Sequence, residues 1–157
     1  MVELIQSFAS ENVALNTPVT FDSAIPCSMG HVYHQNGTGT IILKGIPLSS
    51  CPCRNQIARY SVKFEGNIAI PTGGAVTPIA MAITVSGEQR QNSRSIYTPA
   101  AVDEFGHIDS VAVVDVPKGC CFVVSVEYVD ATVDDAATTP TPVITVKNGS
   151  VIIDQAL

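Results

Sequence analysis

Tryptophan is absent from this 157-residue chain, aromatic residues make up 6% of it, and charged residues only 14%. Charge this sparse, beside 46% hydrophobic residues and a mean hydropathy of +0.30, excludes intrinsic disorder, which needs the opposite balance. Positive charge is the scarcer sign: 8 Lys+Arg face 14 Asp+Glu, for a net charge of -6. No basic surface is then available to neutralise phosphates, which argues against nucleic acid as a partner. Long apolar runs are also missing. The longest, around Ile79–Val85 and Ser110–Val116, are strand-sized and fall short of the roughly 20 residues of a spanning helix, so no membrane insertion is expected. The stretch Met1-Val2-Glu3-Leu4-Ile5-Gln6-Ser7-Phe8 lacks the basic start and apolar stretch of a secretory signal, and cytoplasmic synthesis is expected. Five cysteines (Cys27, Cys51, Cys53, Cys120, Cys121) is an odd count, and without a signal reduced thiols are the expectation. Cys120 and Cys121, adjacent on a strand, point to opposite faces and read as small apolar fillers.

What the chain does have is Val, Ile and Thr, with Gly or Pro every ten or so residues. That pattern is β throughout, with no window for a long amphipathic helix. From Tyr60 to Ile70 the residues alternate, with Val62, Phe64, Ile68 and Ile70 on one face and Ser61, Lys63, Glu65 and Asn67 on the other, as in an antiparallel strand with one wet side. Pro78–Val85 differs: Ile79, Met81, Ile83 and Val85 share one face, the small Ala80, Ala82 and Thr84 the other. Val111–Val116 is similar, and Phe122, Val124, Val126 and Tyr128 fall together on a further run. Strands apolar on both faces need a second cover, and burial between subunits is the expectation.

Turn chemistry separates these runs. Asn36-Gly37-Thr38-Gly39 predicts a hairpin between Val32-Tyr33-His34 and Thr40–Lys44. Pro71-Thr72-Gly73-Gly74 and Ser86-Gly87-Glu88 end strands, and Pro117-Lys118-Gly119 joins two apolar runs, with Gly where a positive φ is expected. Lys147-Asn148-Gly149-Ser150 predicts a second hairpin, and Asp130–Pro142 an exposed loop. Eight to ten strands in one domain make an all-β, compact antiparallel jelly-roll sandwich.

The order of parts carries a resemblance. The strand Ala58–Gly66 is followed by the apolar strand Ile79–Val85 with its Gly turn, a variable stretch Glu88–Phe105, and then Ser110-Val111-Ala112-Val113-Val114-Asp115-Val116-Pro117-Lys118-Gly119-Cys120-Cys121-Phe122-Val123-Val124-Ser125-Val126. A short terminal strand pair ends in Val151–Leu157, and Glu11–Phe21 stands where a first strand belongs. This resembles the compact jelly roll of the tumour necrosis factor and complement q globular-head superfamily, above all the bacterial and phage versions found as spore-surface and fibre heads. The resemblance spans most of residues 11–157, although no single motif in it is diagnostic. It implies a homotrimer packed about a three-fold axis. The collagen-like Gly-X-Y stalk of the best-known members is missing, which departs from a secreted host-defence role and fits a virion protein assembled in a bacterial host cytoplasm. Residues 1–10, with Leu4, Ile5 and Phe8, are then an anchoring arm or strand toward a neighbour or capsid, and 11–157 the jelly roll.

Candidate chemical sites are weak. His31-x-x-His34 with Cys51-Pro52-Cys53 and Cys27 is a poor zinc set, since Cys-x-Cys is one residue tighter than a knuckle and the two histidines fall on opposite sides of a strand. Loop thiols and a solvated His pair are expected instead. Asp103, Glu104 and Asp109 around His107 lack the oxygen spacing of a calcium loop. There is no Gly-x-Ser-x-Gly elbow and no phosphate-cradling glycine loop. No catalytic, cofactor or metal residue is therefore assigned. Charge is asymmetric: 9 acidic and 2 basic residues follow residue 101, against 5 acidic and 6 basic before it. The Glu88–Arg94 stretch reads as polar and exposed. The function expected is a non-enzymatic virion structural protein, a trimeric jelly roll decorating a bacteriophage capsid or heading a short fibre. Phe64, Phe122, Val124 and Tyr128 are expected in the core or at the trimer axis, and its partners are its own copies and a capsid or fibre protein. The alternative is a receptor- or carbohydrate-binding head whose partner is a host surface glycan, with a site near Tyr97 or Asp130–Thr141. The low aromatic content weighs against it.

Overall fold

Alternation of large apolar and polar residues makes long antiparallel strands here, because a period of two is the only one that puts Tyr60, Val62 and Phe64 on one side. The computed structural model describes residues 1–25, 30–46, 57–131 and 139–156. Among the described residues there are twelve strands: β1 (Val2–Ile5), β2 (Glu11–Ala14), β3 (Ser23–Ile25), β4 (Val32–His34), β5 (Ile41–Lys44), β6 (Ile57–Ala69), β7 (Ile79–Val85), β8 (Glu88–Gln89), β9 (Ser95–Tyr97), β10 (Gly106–Pro117), β11 (Cys121–Val129) and β12 (Val143–Ala156). One sheet runs β10-β6-β12-β1-β3 with β2 also on β12; the other runs β4-β5-β11-β7-β8 with β9 also on β7. All pairings are antiparallel, and the core lies between the two sheets. The surplus over eight to ten strands consists of short pieces of two to four residues, too short for alternation to announce.

The expected faces hold. Val62, Phe64, Ile68 and Ile70 are buried while Ser61 and Lys63 are exposed. Burying each large aliphatic or aromatic side chain of this kind contributes roughly 1.5–3 kcal/mol. Asn36–Gly39 closes the β4–β5 hairpin, and Gly37 has φ +80°. Pro117-Lys118-Gly119 carries the chain from one sheet to the other, since β10 pairs with β6 and β11 with β5 and β7. Gly119, at φ +76°, supplies the left-handed residue this corner needs, and the Cys120 N–H donates to the Pro117 carbonyl at 3.0 Å.

Three expectations are corrected or narrowed. First, Lys147–Ser150 is not a hairpin: β12 runs through it as one 14-residue strand. Lys147 pairs with Asn67 and Ser150 with Glu65, so Asn148 and Gly149 together oppose Gly66. This is a β-bulge, with Asn148 at φ 54° absorbing the extra residue. Both halves stay on β6 because each has its own apolar set to bury, Ile144 and Val146 before the bulge, Val151 and Ile153 after it.

Second, of the two forms expected for residues 1–10, an arm or a strand, the chain takes the strand. β1 lies between β12 and β3, Leu4 is fully buried, and Ile5 and Phe8 are half-buried. The Gln6 N–H donates to the Gly149 carbonyl at 2.9 Å, and its side-chain oxygen accepts from the Gly149 N–H at 2.9 Å. Its amide nitrogen donates to Glu11 Oε2 (2.9 Å) and to the Thr20 carbonyl (3.1 Å). A Cβ on Gly149 would stand 2.7 Å from Gln6 Oε1, so glycine is what lets this clasp close.

Third, the small-residue face of β7 is covered within the chain. All seven residues of β7 are buried, and Ala80, Ala82 and Val129 form a second apolar cluster with Ala131 packed on it. Ser93, expected on an exposed stretch, is buried, and its hydroxyl accepts from the Ile83 N–H at 2.9 Å. Of the Asp130–Pro142 loop, Thr141 is buried and its carbonyl accepts from the Tyr128 hydroxyl at 2.6 Å. Residues 132–138 lie outside the described residues.

Removing the Gln6 clasp leaves the buried Gly149 N–H unpaired, so Gln6→Ala should lower unfolding stability by about 1–3 kcal/mol in urea titration. Burial raises the Tyr60 phenol pKa, and burial with the nearby Asp130 charge pushes Tyr128 up to about 12. A raised folded-state value means the Tyr128 contribution is complete below the ordinary value near 10 and is lost as pH climbs through about 12. Ultraviolet titration of phenolate should show a late component that Tyr128→Phe removes.

Candidate functional site

Because β10 alternates, its even-numbered residues from Ile108 to Val116 enter the core and its odd-numbered ones face out. Two of the outward ones are valines, Val111 at 44% and Val113 at 57% exposure. β10 is also an edge strand: β6 is its one strand partner among the described residues. Tyr97 packs over its first residue, Gly106, where a Cβ would fall 2.3 Å from the ring.

The register sets the surroundings of the two valines. Val111 stands opposite Lys63, Val113 opposite Ser61, Asp115 opposite Arg59, and Pro117 opposite Ile57, which is itself 50% exposed. Arg59 grips Asp115 with two bonds, Nε to Oδ1 at 2.7 Å and a terminal nitrogen to Oδ2 at 2.8 Å. Hydrogen bonding to that guanidinium holds the Asp115 carboxyl below the usual carboxylate range. Lys63 pairs with Glu65 at 3.5 Å. Across the same face, Ile152 follows Lys63, Glu3 follows Ile152, and the exposed Ile25 follows Glu3. An apolar stripe at one margin and an apolar group at the other thus flank a charged, largely self-paired centre. This arrangement suits contact between surfaces.

The residues singled out from sequence sort themselves clearly. Phe64, Val124 and Tyr128 are fully buried in the core, and Phe122 is half-buried against it. His31 is exposed, but His34 is not solvated as expected. It points inward with Nδ1 3.0 Å from the Thr40 carbonyl and Nε2 3.0 Å from the Phe21 carbonyl, so its ring ties the hairpin turn to the N-terminal segment. Cys27, Cys51 and Cys53 lie outside the described residues; Cys120 and Cys121 are free, and both are exposed rather than core fillers. Among the described residues no three His, Cys, Asp or Glu side chains gather for a metal. Asp103 accepts a hydrogen bond from the Thr72 hydroxyl, and Glu104 Oε2 accepts from the Ala100 (2.9 Å) and Ala101 (3.0 Å) N–H groups. These two carboxylates fasten the turn before β10, whereas His107 and Asp109 lie on the strand. Tyr97, half-buried over Gly106, is used in packing. Sequence pattern had marked β10 as apolar on both faces; which face stays open needed the strand order.

No protein-family model matches this sequence, and no curated protein matches it. Solved structures do. The chain is similar to the globular domain of zebrafish complement 1qA, with TM-score 0.54 and 13% identity over 95% of this chain and 93% of that one. It is also similar to Eiger TNF from S. frugiperda, with TM-score 0.62 and 8% identity over 99% and 90%. Murine APRIL at pH 5.0 gives TM-score 0.52 and 11% identity over 96% and 95%. The protein therefore has the jelly-roll fold of the tumour necrosis factor and complement 1q globular heads.

The Arg59–Asp115 pair gives the site its pH signature. A lowered carboxyl value makes the pair's contribution complete above the ordinary aspartate range and lost as pH falls through the lowered value. In Arg59→Gln the Asp115 carboxyl should titrate at higher pH, read by carboxyl carbon NMR, with the circular dichroism spectrum unchanged.

Proposed function

We propose that this protein is a non-enzymatic structural head that assembles as a homotrimer and decorates a bacteriophage capsid or forms the head of a short fibre. The observation that carries the self-association is the open edge strand β10 with Val111 and Val113 in solvent. A long edge strand with exposed β-branched residues invites pairing, and a soluble protein keeps one when a partner covers it. Jelly rolls of this type form homotrimers, and its structural neighbours are ligand or structural domains rather than enzymes. In a ring of three, the β10 margin of one protomer packs on the Ile152–Ile25 side of the next, a head-to-tail contact that closes on itself.

Assembly in a cytoplasm, as for a virion protein, suits the exposed thiols of Cys120 and Cys121. The N-terminal strand leaves Met1 exposed and Ile5 and Phe8 half-buried, so these three, rather than the buried Leu4, are the contacts left for a capsid or fibre protein.

Native mass spectrometry should find three chains per particle for the wild-type protein. Val111→Asp with Val113→Asp should yield a folded monomer, with unchanged circular dichroism. A wild-type monomer at tens of micromolar, or a double variant that still forms trimers, contradicts the reading. Proteomics of phage particles released by the host carrying the gene should place the chain in the particle fraction.

A further inference from the structure

His34 is the one histidine of the chain that the fold buries, at 7% exposure, and it lies on β4, in the sheet opposite β10's. Both of its ring nitrogens meet carbonyl oxygens, Nδ1 at 3.0 Å from that of Thr40 and Nε2 at 3.0 Å from that of Phe21. A neutral imidazole carries one N–H and one bare lone pair, whereas the protonated ring donates from both nitrogens. A carbonyl oxygen only accepts. In the neutral ring, whichever tautomer forms, one nitrogen turns its lone pair on a carbonyl oxygen in a buried place, and one hydrogen bond is missing. A second ring proton supplies that bond and makes both of them charge-assisted.

The two carbonyls belong to different parts of the chain. Thr40 leads into β5, while Phe21 lies on a strap, residues 15–22, that crosses between the sheets. The strap leaves β2 on the first sheet and bonds to β11 of the second, through the Asn16 N–H to the Tyr128 carbonyl (2.8 Å) and the Val19 N–H to the Val126 carbonyl (2.8 Å). It then returns to the first sheet as β3. Near His34 the Gly37 N–H donates to the Phe21 carbonyl at 2.7 Å, and the Phe21 N–H donates to the Thr38 carbonyl at 3.0 Å. The Phe21 and His34 rings meet edge to face, with centroids 6.3 Å apart. His34 is thus the side chain that pins the strap to the β4–β5 turn.

The charged groups on the surrounding elements are engaged elsewhere or face solvent. Asp22 on the strap accepts from the Ser7 N–H at 2.7 Å. Glu11 on β2 accepts from the Thr20 N–H (3.0 Å) and hydroxyl (2.8 Å), and Glu127 on β11 from the Ser125 hydroxyl (2.7 Å). Lys44 on β5 and His31 ahead of β4 are exposed. No ion pair reaches His34 among the described residues. Desolvation opposes a cation here, and two charge-assisted bonds, each roughly twice as strong as a neutral one, offset it. We propose that His34 is an acid-operated latch, whose second ring proton fastens the strap to the turn. The ring takes up that proton more readily with the strap closed than open. By linkage, the closed strap gains stability at acidic pH and loses it as pH rises through the titration of the ring.

Nitrogen-15 NMR of the full wild-type chain, followed from about pH 5 to about pH 8, tests the latch. At the acid end both His34 ring nitrogens should carry protons, and one should lose its proton as pH rises, with the exposed His31 and His107 as reference rings. Over the same interval the exchange protection of the Phe21 and Gly37 amides, corrected for intrinsic rates, should fall by about tenfold, as for loss of one charge-assisted bond. Amides of β7 should keep theirs. His34→Phe, which keeps a ring and removes both donors, should abolish the pH dependence of the strap; if that variant does not fold, the wild-type measurement decides alone. A His34 ring with a single proton at about pH 5, strap protection equal at both ends of the range, or an unchanged pH dependence in His34→Phe would each overturn the proposal.

Discussion

The fold depends on a single constraint, the period-two alternation along β6. Thirteen residues long, β6 is paired with β10 on one side and β12 on the other, so it fixes the position of both long strands of its sheet. A slip of one residue would turn Tyr60, Val62 and Phe64 out to solvent and bring Arg59, Ser61 and Lys63 inside. The cost of burying two unpaired cations in an apolar core makes that register the one available. The bulge at Asn148–Gly149 lets β12 keep both of its apolar sets inward along the same partner, and Gln6 ties the N-terminal strand to that point. From this frame follow the outward positions of Val111 and Val113, since they stand opposite Lys63 and Ser61.

Low charge and high apolar content had pointed to surfaces hidden between subunits. The structure divides that surplus. β7 is buried along its whole length within the chain, its small Ala80 and Ala82 clustering with Val129 of the neighbouring strand and with Ala131. β10 and the row of Tyr33, Ile42 and Val123, in register across β4, β5 and β11, remain in solvent, on opposite sheets of the sandwich. Each of these exposed apolar features is a face on which contact with another surface would bury area.

The large features of the fold were legible in the residues because they rest on local alternation: the faces of β6, the β4–β5 hairpin, and the left-handed glycine at the β10–β11 corner. The Lys147–Ser150 hairpin was misread because Asn-Gly supports a positive φ in a tight turn and in a bulge alike; only pairing with β6 on both sides separates the two. Leu4 looked like part of an arm because four residues of β1 carry too little pattern to announce a central strand, and its neighbours β12 and β3 are distant in sequence. Likewise, the burial of His34 comes from carbonyls of Phe21 and Thr40, which no spacing rule brings to one ring. The candidate surfaces were half legible: Val111–Val116 was marked as apolar on both faces, but the Tyr33 row is assembled from three strands and has no contiguous signature.

In the proposed trimer, β10 is an edge only in the isolated chain. Hydrogen exchange of the wild-type protein, read by mass spectrometry on peptides covering Gly106–Pro117 across a dilution series, tests it most directly. Amides of this strand should exchange slowly when the protein is concentrated and faster on dilution, while peptides of β7 show no change. Exchange in β10 that is the same at every concentration would contradict it.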